Sequence, residues 1–121
     1  MNDIRRKEQS VQFPFVEGKT TLKVKDIIYI ETDRHRNLFY TRKGTYSIYR
    51  KLTEIEQELA GMDFLRIHQS FLVNMRYIKR ISSYVLYLTT GEELSVPKSR
   101  YQYVKQEYTR YQDDETHEKD G

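Results

Sequence analysis

The residues best suited to chemistry in this chain lie close together in Phe64-Leu65-Arg66-Ile67-His68-Gln69-Ser70-Phe71-Leu72-Val73-Asn74. Ile67 and the Phe71-Leu72-Val73 run have the composition of buried strands. Between these apolar anchors sit Arg66, His68, Gln69 and Ser70, and Asn74 follows. A short polar segment held at both ends suits a turn that presents donors and acceptors in fixed positions. Side chains of these types are used on phosphates and on base edges. The competing reading is a polar corner of a β protein, with His68 satisfied by a backbone carbonyl.

Two further segments combine basic and hydrogen-bonding residues. They are Asp33-Arg34-His35-Arg36-Asn37 and Lys98-Ser99-Arg100. Each lies where a loop meets a strand. A fold that brings all three to one edge makes a reading surface out of loops. A fold that does not leaves three unrelated solvated loops.

Catalysis has little to stand on. The three histidines are His35, His68 and His117, and the chain has no cysteine. No His-x-x-x-His pair and no glycine-rich phosphate loop is present, so neither a metal nor a cofactor is expected. His68 and Ser70 do not form a nucleophile pattern, because neighbours on one strand do not align as a triad. A ribonuclease using His35 and His68 as acid and base is the remaining enzymatic alternative. The expectation is no catalytic residue.

The elements that must position these groups can be read in chain order. Residues 1–10 are polar and without period, as in a flexible leader or linker. Val11 to Val24 gives two short strands around Glu17-Gly18-Lys19, with Pro14 pointing to a sheet edge. Asp26-Ile27-Ile28-Tyr29-Ile30-Glu31 is apolar at consecutive positions, which predicts a central strand covered on both faces. Leu38–Thr41 and Thr45–Tyr49 pair as a hairpin across Lys43-Gly44. Leu52, Ile55 and Leu59 fall at helical spacing over 51–60. Thr53-x-x-Glu56 is a candidate capping box, Gly61 a candidate C-cap, and the acidic face points to water.

Met75-Arg76-Tyr77 suggests a helical turn, Ile78–Leu88 a hairpin turning at Ser82-Ser83, and Leu94-Ser95-Val96 the last strand before Pro97. Ser99-x-x-Gln102 opens a helix whose Tyr101, Val104, Tyr108 and Tyr111 form one stripe. Residues 113–121 have no pattern and read as a disordered acidic tail. The inventory is mainly β, in small antiparallel sheets with two short helices.

At 121 residues the chain fits one domain with one modest core, here placed at 11–112. Eleven Tyr and five Phe supply burial without much aliphatic mass. No apolar run approaches the roughly 20 residues of a membrane span. With no apolar signal segment either, a cytoplasmic protein is expected. The net charge is +3, unevenly placed: five carboxylates against Lys119 give residues 113–121 a net −4, which leaves +7 on residues 1–112. A basic body favours a polyanionic partner.

The run from Phe64 to Asn74 closely resembles the signature of the LytTR family of bacterial DNA-binding domains: Arg-x-His, a polar or basic residue, Ser, then an apolar run ending Val-Asn. The order elsewhere is similar. Asp26–Glu31 resembles the family's first clear strand, Leu52–Leu59 its short helix, and Ile78–Ile81 the apolar segment after Val-Asn. Thr90–Val96 with Ser99-Arg100-Tyr101 resembles its close. The resemblance covers about residues 13–111. Gln69 stands where Arg, Lys or Asn is frequent.

The resemblance implies an elongated LytTR-like β fold whose loops enter successive major grooves of double-stranded DNA. It implies base contacts from His35, Arg36, Gln69 and Arg100, and phosphate contacts from Arg34, His68, Ser70, Lys98 and Tyr101. Arg100 suits guanine O6 and N7, and Gln69 suits adenine N6 and N7. Arg66 and Asn74 are read either as phosphate ligands or as structural groups closing the polar turn onto backbone. The family further implies a transcription regulator, a receiver domain outside this chain, and two protomers on paired direct repeats. From the residues alone, a β module docking an acidic protein through its basic loops stands beside this reading.

Overall fold

The computed structural model describes the backbone of residues 9–120 and the side chains through Glu115. Most of the 1–10 leader therefore lies outside the described residues, and Ser10 already opens the first strand.

Strands β1 (Ser10–Phe15) and β2 (Gly18–Lys23) form a two-stranded hairpin, with Phe13 opposite Thr20 and Phe15 opposite Gly18. A single 3-10 turn, Val24–Asp26, leads into β3 (Ile27–Asp33). Then come β4 (Arg36–Thr41), β5 (Gly44–Ile48), helix α1 (Leu52–Glu58), β6 (Phe64–His68) and β7 (Phe71–Asn74). Five of these strands make one antiparallel sheet in the order β5-β4-β3-β7-β6, so β3 is central, as its apolar run requires. A 3-10 turn at Met75–Tyr77 passes to a second sheet of β8 (Ile78–Ser82), β9 (Val85–Leu88) and β10 (Glu93–Ser95). The chain ends in a 3-10 turn, Lys98–Arg100, running directly into helix α2 (Tyr101–Asp120).

The period-2 alternation of a strand sends neighbours to opposite faces, and the central sheet uses both. Ile30, Phe39, Ile48 and Leu72 pack against Phe13, Phe15 and the Leu52, Ile55 and Leu59 stripe of α1. Ile28, Tyr29, Leu65, Ile67 and Val73 pack instead against Leu86, Leu88, Leu94, Val96 and Val104. The β1–β2 hairpin and α1 thus cover one face, and the second sheet with α2 covers the other. Burying each such side chain contributes about 1.5–3 kcal/mol. The result is two cores rather than the one expected from chain length.

Several local expectations are corrected. Ser82 pairs with Val85, so the hairpin turns at Ser83-Tyr84, one residue later than the polar pair suggests. Both turn residues have positive φ, 51° and 64°, as a two-residue hairpin with matched twist demands. The Thr53–Glu56 capping box does not form: Lys51 is the N-cap of α1 and Thr53 already lies inside the helix. Ser99 caps nothing either, because the 3-10 turn begins one residue earlier, after Pro97, whose fixed φ favours the first turn. The tail is not patternless backbone. Helix α2 continues through Asp120, since no Gly or Pro after Tyr101 interrupts it.

Candidate nucleic-acid interface

Two tight turns project from the same end of the central sheet. Arg34 and His35 connect β3 to β4, and Gln69 and Ser70 connect β6 to β7. The Thr32 amide donates to the Ser70 carbonyl at 2.9 Å, which ties the two turns together. Arg34 sits at φ 61°, in the left-handed region that a two-residue turn requires. Arg34, His35 and Gln69 are exposed.

The five-residue basic loop expected at 33–37 is shorter than its sequence suggests. Asp33 and Arg36 are strand residues paired with each other, and their side chains form an ion pair at 3.9 Å. Asn37 is buried: its amide donates to the Arg50 carbonyl, and its Oδ1 accepts from the Thr32 hydroxyl at 2.6 Å. It holds the β5–α1 segment against the turn rather than facing outward.

Arg66 closes the motif turn. Its Nε donates to the His68 carbonyl at 2.9 Å, one terminal nitrogen donates to the Gln69 carbonyl, and the other reaches Glu56 Oε1 at 2.9 Å. A planar guanidinium can serve three acceptors at once, which an ammonium on a flexible stem does poorly. The acidic face of α1 is therefore not simply solvated. Glu56 braces Arg66, while Glu54 and Glu58 hold Arg50 at 3.7 and 3.0 Å.

His68 is oriented by its own turn. The Ser70 amide donates to Nδ1 at 2.9 Å, so in the neutral ring the proton resides on Nε2. That leaves an N–H donor of the kind a phosphate oxygen accepts. The ring leans on Phe71 at 5.0 Å between centroids.

The third segment joins through Arg100. One of its terminal nitrogens donates to the Arg66 carbonyl at 2.7 Å, and its guanidinium lies 5.1 Å from the Tyr103 ring centre. Its Nε is buried without an acceptor. Lys98 and Ser99 are exposed beside it. The Tyr101 ring packs on Tyr84 at 4.5 Å, with the Lys105 ammonium 5.0 Å away, so it is a support for α2 at least as much as a surface group.

Asn74 lies at the other end of β7, away from the turns. It is buried, donates to the carbonyls of Val24 and Ile27 at 3.2 and 2.8 Å, and accepts from the Arg76 amide at 3.2 Å. Its contacts in this structure are thus all to backbone.

Arg34, His35, Arg66, Gln69 and Ser70 line one depression of about 430 Å³. Tyr49, Arg50, Lys51 and Thr53 line the same depression, and nothing in the sequence analysis marks them as site residues. Tyr49 is 68% exposed, unusually open for a tyrosine. An aromatic followed by two cations between a strand and a helix is the signal that marks the segment. Among the described residues no cluster of His, Cys, Asp or Glu could hold a metal, and no helix is long and apolar enough to cross a membrane.

The fold and sequence have known counterparts. The structure aligns, at TM-score 0.70 and 24% identity, with the LytTr DNA-binding domain of a putative methyl-accepting/DNA response regulator from Bacillus cereus, over 83% of this chain and 96% of that one. Sensory transduction protein LytT of Bacillus subtilis (strain 168) is 37% identical over 69% of this chain and 36% of its own length. Transcriptional regulatory protein NatR of the same organism is 31% identical over 72% of this chain and 40% of its own. Transcriptional regulatory protein LytR of Staphylococcus aureus (strain N315) is 30% identical over 76% and 39%. This chain thus spans between a third and about two fifths of these relatives. The family model for the LytTr DNA-binding domain matches residues 17–109, and the chain belongs to the LytTR family of DNA-binding domains.

Proposed function

We propose that this domain reads specific sequences in double-stranded DNA for a bacterial transcription regulator, with no catalytic step of its own. The observation that carries the reading is the shared depression between the two turns, which Arg34, His35, Gln69 and Ser70 line together with Tyr49 and Lys51. A major groove about 12 Å across admits a two-stranded β-ribbon, the kind of element each of these turns closes. Gln69 and His35 are the exposed tips and take base edges, joined by Arg36 and Arg100 from the flanks. Arg34, His68, Ser70, Lys98 and Tyr101 hold phosphates and fix the register, which carries affinity but no sequence. Arg66 supports them from behind. Relatives named as sensory transduction and transcriptional regulatory proteins support placing the domain at the output of a response regulator, with a receiver region elsewhere in the protein. Two protomers on paired direct repeats complete the reading.

Selection of duplexes from a random pool by the 121-residue chain at near-physiological salt tests it. The expected result is a recovered motif, present as two short repeats about one helical turn apart. Salt-sensitive retention without any motif would overturn base reading and leave a basic module that docks acidic partners.

A further inference from the structure

A second basic surface lies at the opposite end of the central sheet. Lys23, Lys25, Arg42, Lys43 and Arg76 surround an open concavity of about 770 Å³, with Asp26 as the one carboxylate lining it among the described residues. The turns that face DNA leave the end of β3, and this concavity lies at its beginning. Seven residues of strand separate the two by about 20 Å. A major groove is only about 8.5 Å deep, so a duplex seated on the turns does not reach these cations.

Three observations make this more than a solvated rim. The five cations come from three separate stretches of chain, 23–25, 42–43 and 76, and all five are exposed. Among the described residues none of them has a carboxylate within 4.0 Å, whereas Arg36, Arg50, Arg66 and Arg110 each do. The backbone beneath them is pinned. Asn74 grips Val24 and Ile27, the Tyr77 hydroxyl donates to the Lys25 carbonyl, the Arg42 amide donates to Asp26, and the Thr89 amide donates to Tyr77. Five like charges so held repel one another, and a polyanion relieves that repulsion while releasing its counterions. Three ammonium groups and the two guanidinium forks of Arg42 and Arg76 are spread around this open concavity, which matches the successive phosphates of a phosphodiester backbone better than one small anion.

We infer that this pole is a sequence-independent DNA-binding surface that takes the phosphate backbone of a second duplex segment while the turns hold the first. The inference rests on DNA binding by the domain and not on base reading by the turns. The domain then bridges two stretches of DNA.

The test uses the full 121-residue chain on an immobilised duplex carrying its selected site, with a labelled duplex of unrelated sequence as the captured probe. The wild type is expected to retain the probe. Lys25→Ala/Arg42→Ala/Lys43→Ala is expected to lose retention about tenfold, with affinity for one short cognate duplex changed less than about twofold. Gln69→Ala is expected to lose site preference and keep capture. Equal retention by the triple variant overturns the inference, and so does bridging through protein dimers, which that variant would preserve. No retention by the wild type overturns it as well. If selection yields no motif, the same assay between two unrelated duplexes still decides the pole independently of base reading.

Discussion

Arg100 and Arg66 carry the same charge and are nevertheless joined: an Arg100 terminal nitrogen donates to the Arg66 backbone carbonyl at 2.7 Å. The Arg66 guanidinium meanwhile points the other way, into the carbonyls of His68 and Gln69 and the carboxylate of Glu56. The bond links the start of α2 to β6, and so places the third basic segment beside the motif turn. One guanidinium builds the turn, and the second is parked against its backbone with donors to spare.

Arg66→Ala is expected to destabilise the domain by about 2 kcal/mol, because two turn carbonyls and Glu56 lose a charged donor together. Arg66→Lys should recover little of this, lacking the fork. Urea titration measures the stability, and a lysine variant as stable as wild type would contradict the three-acceptor role.

Arg100→Ala is expected to cost about 1–3 kcal/mol on a cognate duplex and to flatten preference at one base position. Lys98→Ala should weaken all sequences alike and lower the salt slope by about 1. Equal losses on cognate and random DNA for Arg100→Ala would remove it from base reading. The parked bond to Arg66 would then be its whole role.

Tyr49→Ala is expected to leave stability within about 0.5 kcal/mol, since the ring is 68% exposed. It should still reduce DNA affinity. Asn37→Ala, by contrast, should lower both, because its buried amide holds the Arg50 carbonyl that positions the same segment. Unchanged DNA affinity in Tyr49→Ala would take the β5–α1 segment out of the interface.

Burial pushes the Tyr111 phenol up to about 12, with Glu115 and Asp63 adding to the shift, and it raises Tyr108 in the same direction. A raised phenol contributes stability that is complete below the unfolded value near 10 and is lost as pH climbs toward 12. Wild type should therefore lose stability relative to Tyr111→Phe across that window. Denaturant midpoints at pH 9 and pH 11.5 measure it, and a pH-independent difference would mean that the ring sits in water when α2 is docked.

Removing residues 113–121 is expected to reduce helical circular dichroism while leaving the melting temperature nearly unchanged. The docking contacts of α2 that precede Asp113, namely Val104, Tyr108 and Tyr111, all remain. Non-specific DNA affinity should rise slightly as five carboxylates leave. A large drop in melting temperature would show that the acidic turns of the helix pack.

Much of this was legible in the sequence because it depends on hydrophobic period. The central position of β3, the stripe of α1 and the Tyr-Val-Tyr-Tyr stripe of α2 follow from local pattern, and the structure places each where the pattern requires. The polar turn at 66–70 was legible because apolar anchors bracket it. What escaped depends on partners distant in sequence. Asn37 looks like a loop residue until its amide meets Arg50, thirteen positions on. Tyr49-Arg50-Lys51 joins the site only once folding brings it to one depression with the β3–β4 turn. The acidic end lacks apolar period, yet continuing a helix needs only uninterrupted backbone bonding. The second core escaped because chain length bounds the amount of burial and not its partition between two faces.

Both faces of the central sheet are filled, so hydrophobic burial claims the strand interiors and leaves the turn tips unclaimed. Arg34, His35 and Gln69 lie outside both cores. A change of letter at His35 or Gln69 costs the scaffold almost nothing, and at Arg34 only the residues that resist a positive φ are costly, whereas the residues of β3 are divided between two cores. The domain thus keeps its vocabulary separate from its grammar, and new target sites are within reach of a few substitutions at two short turns.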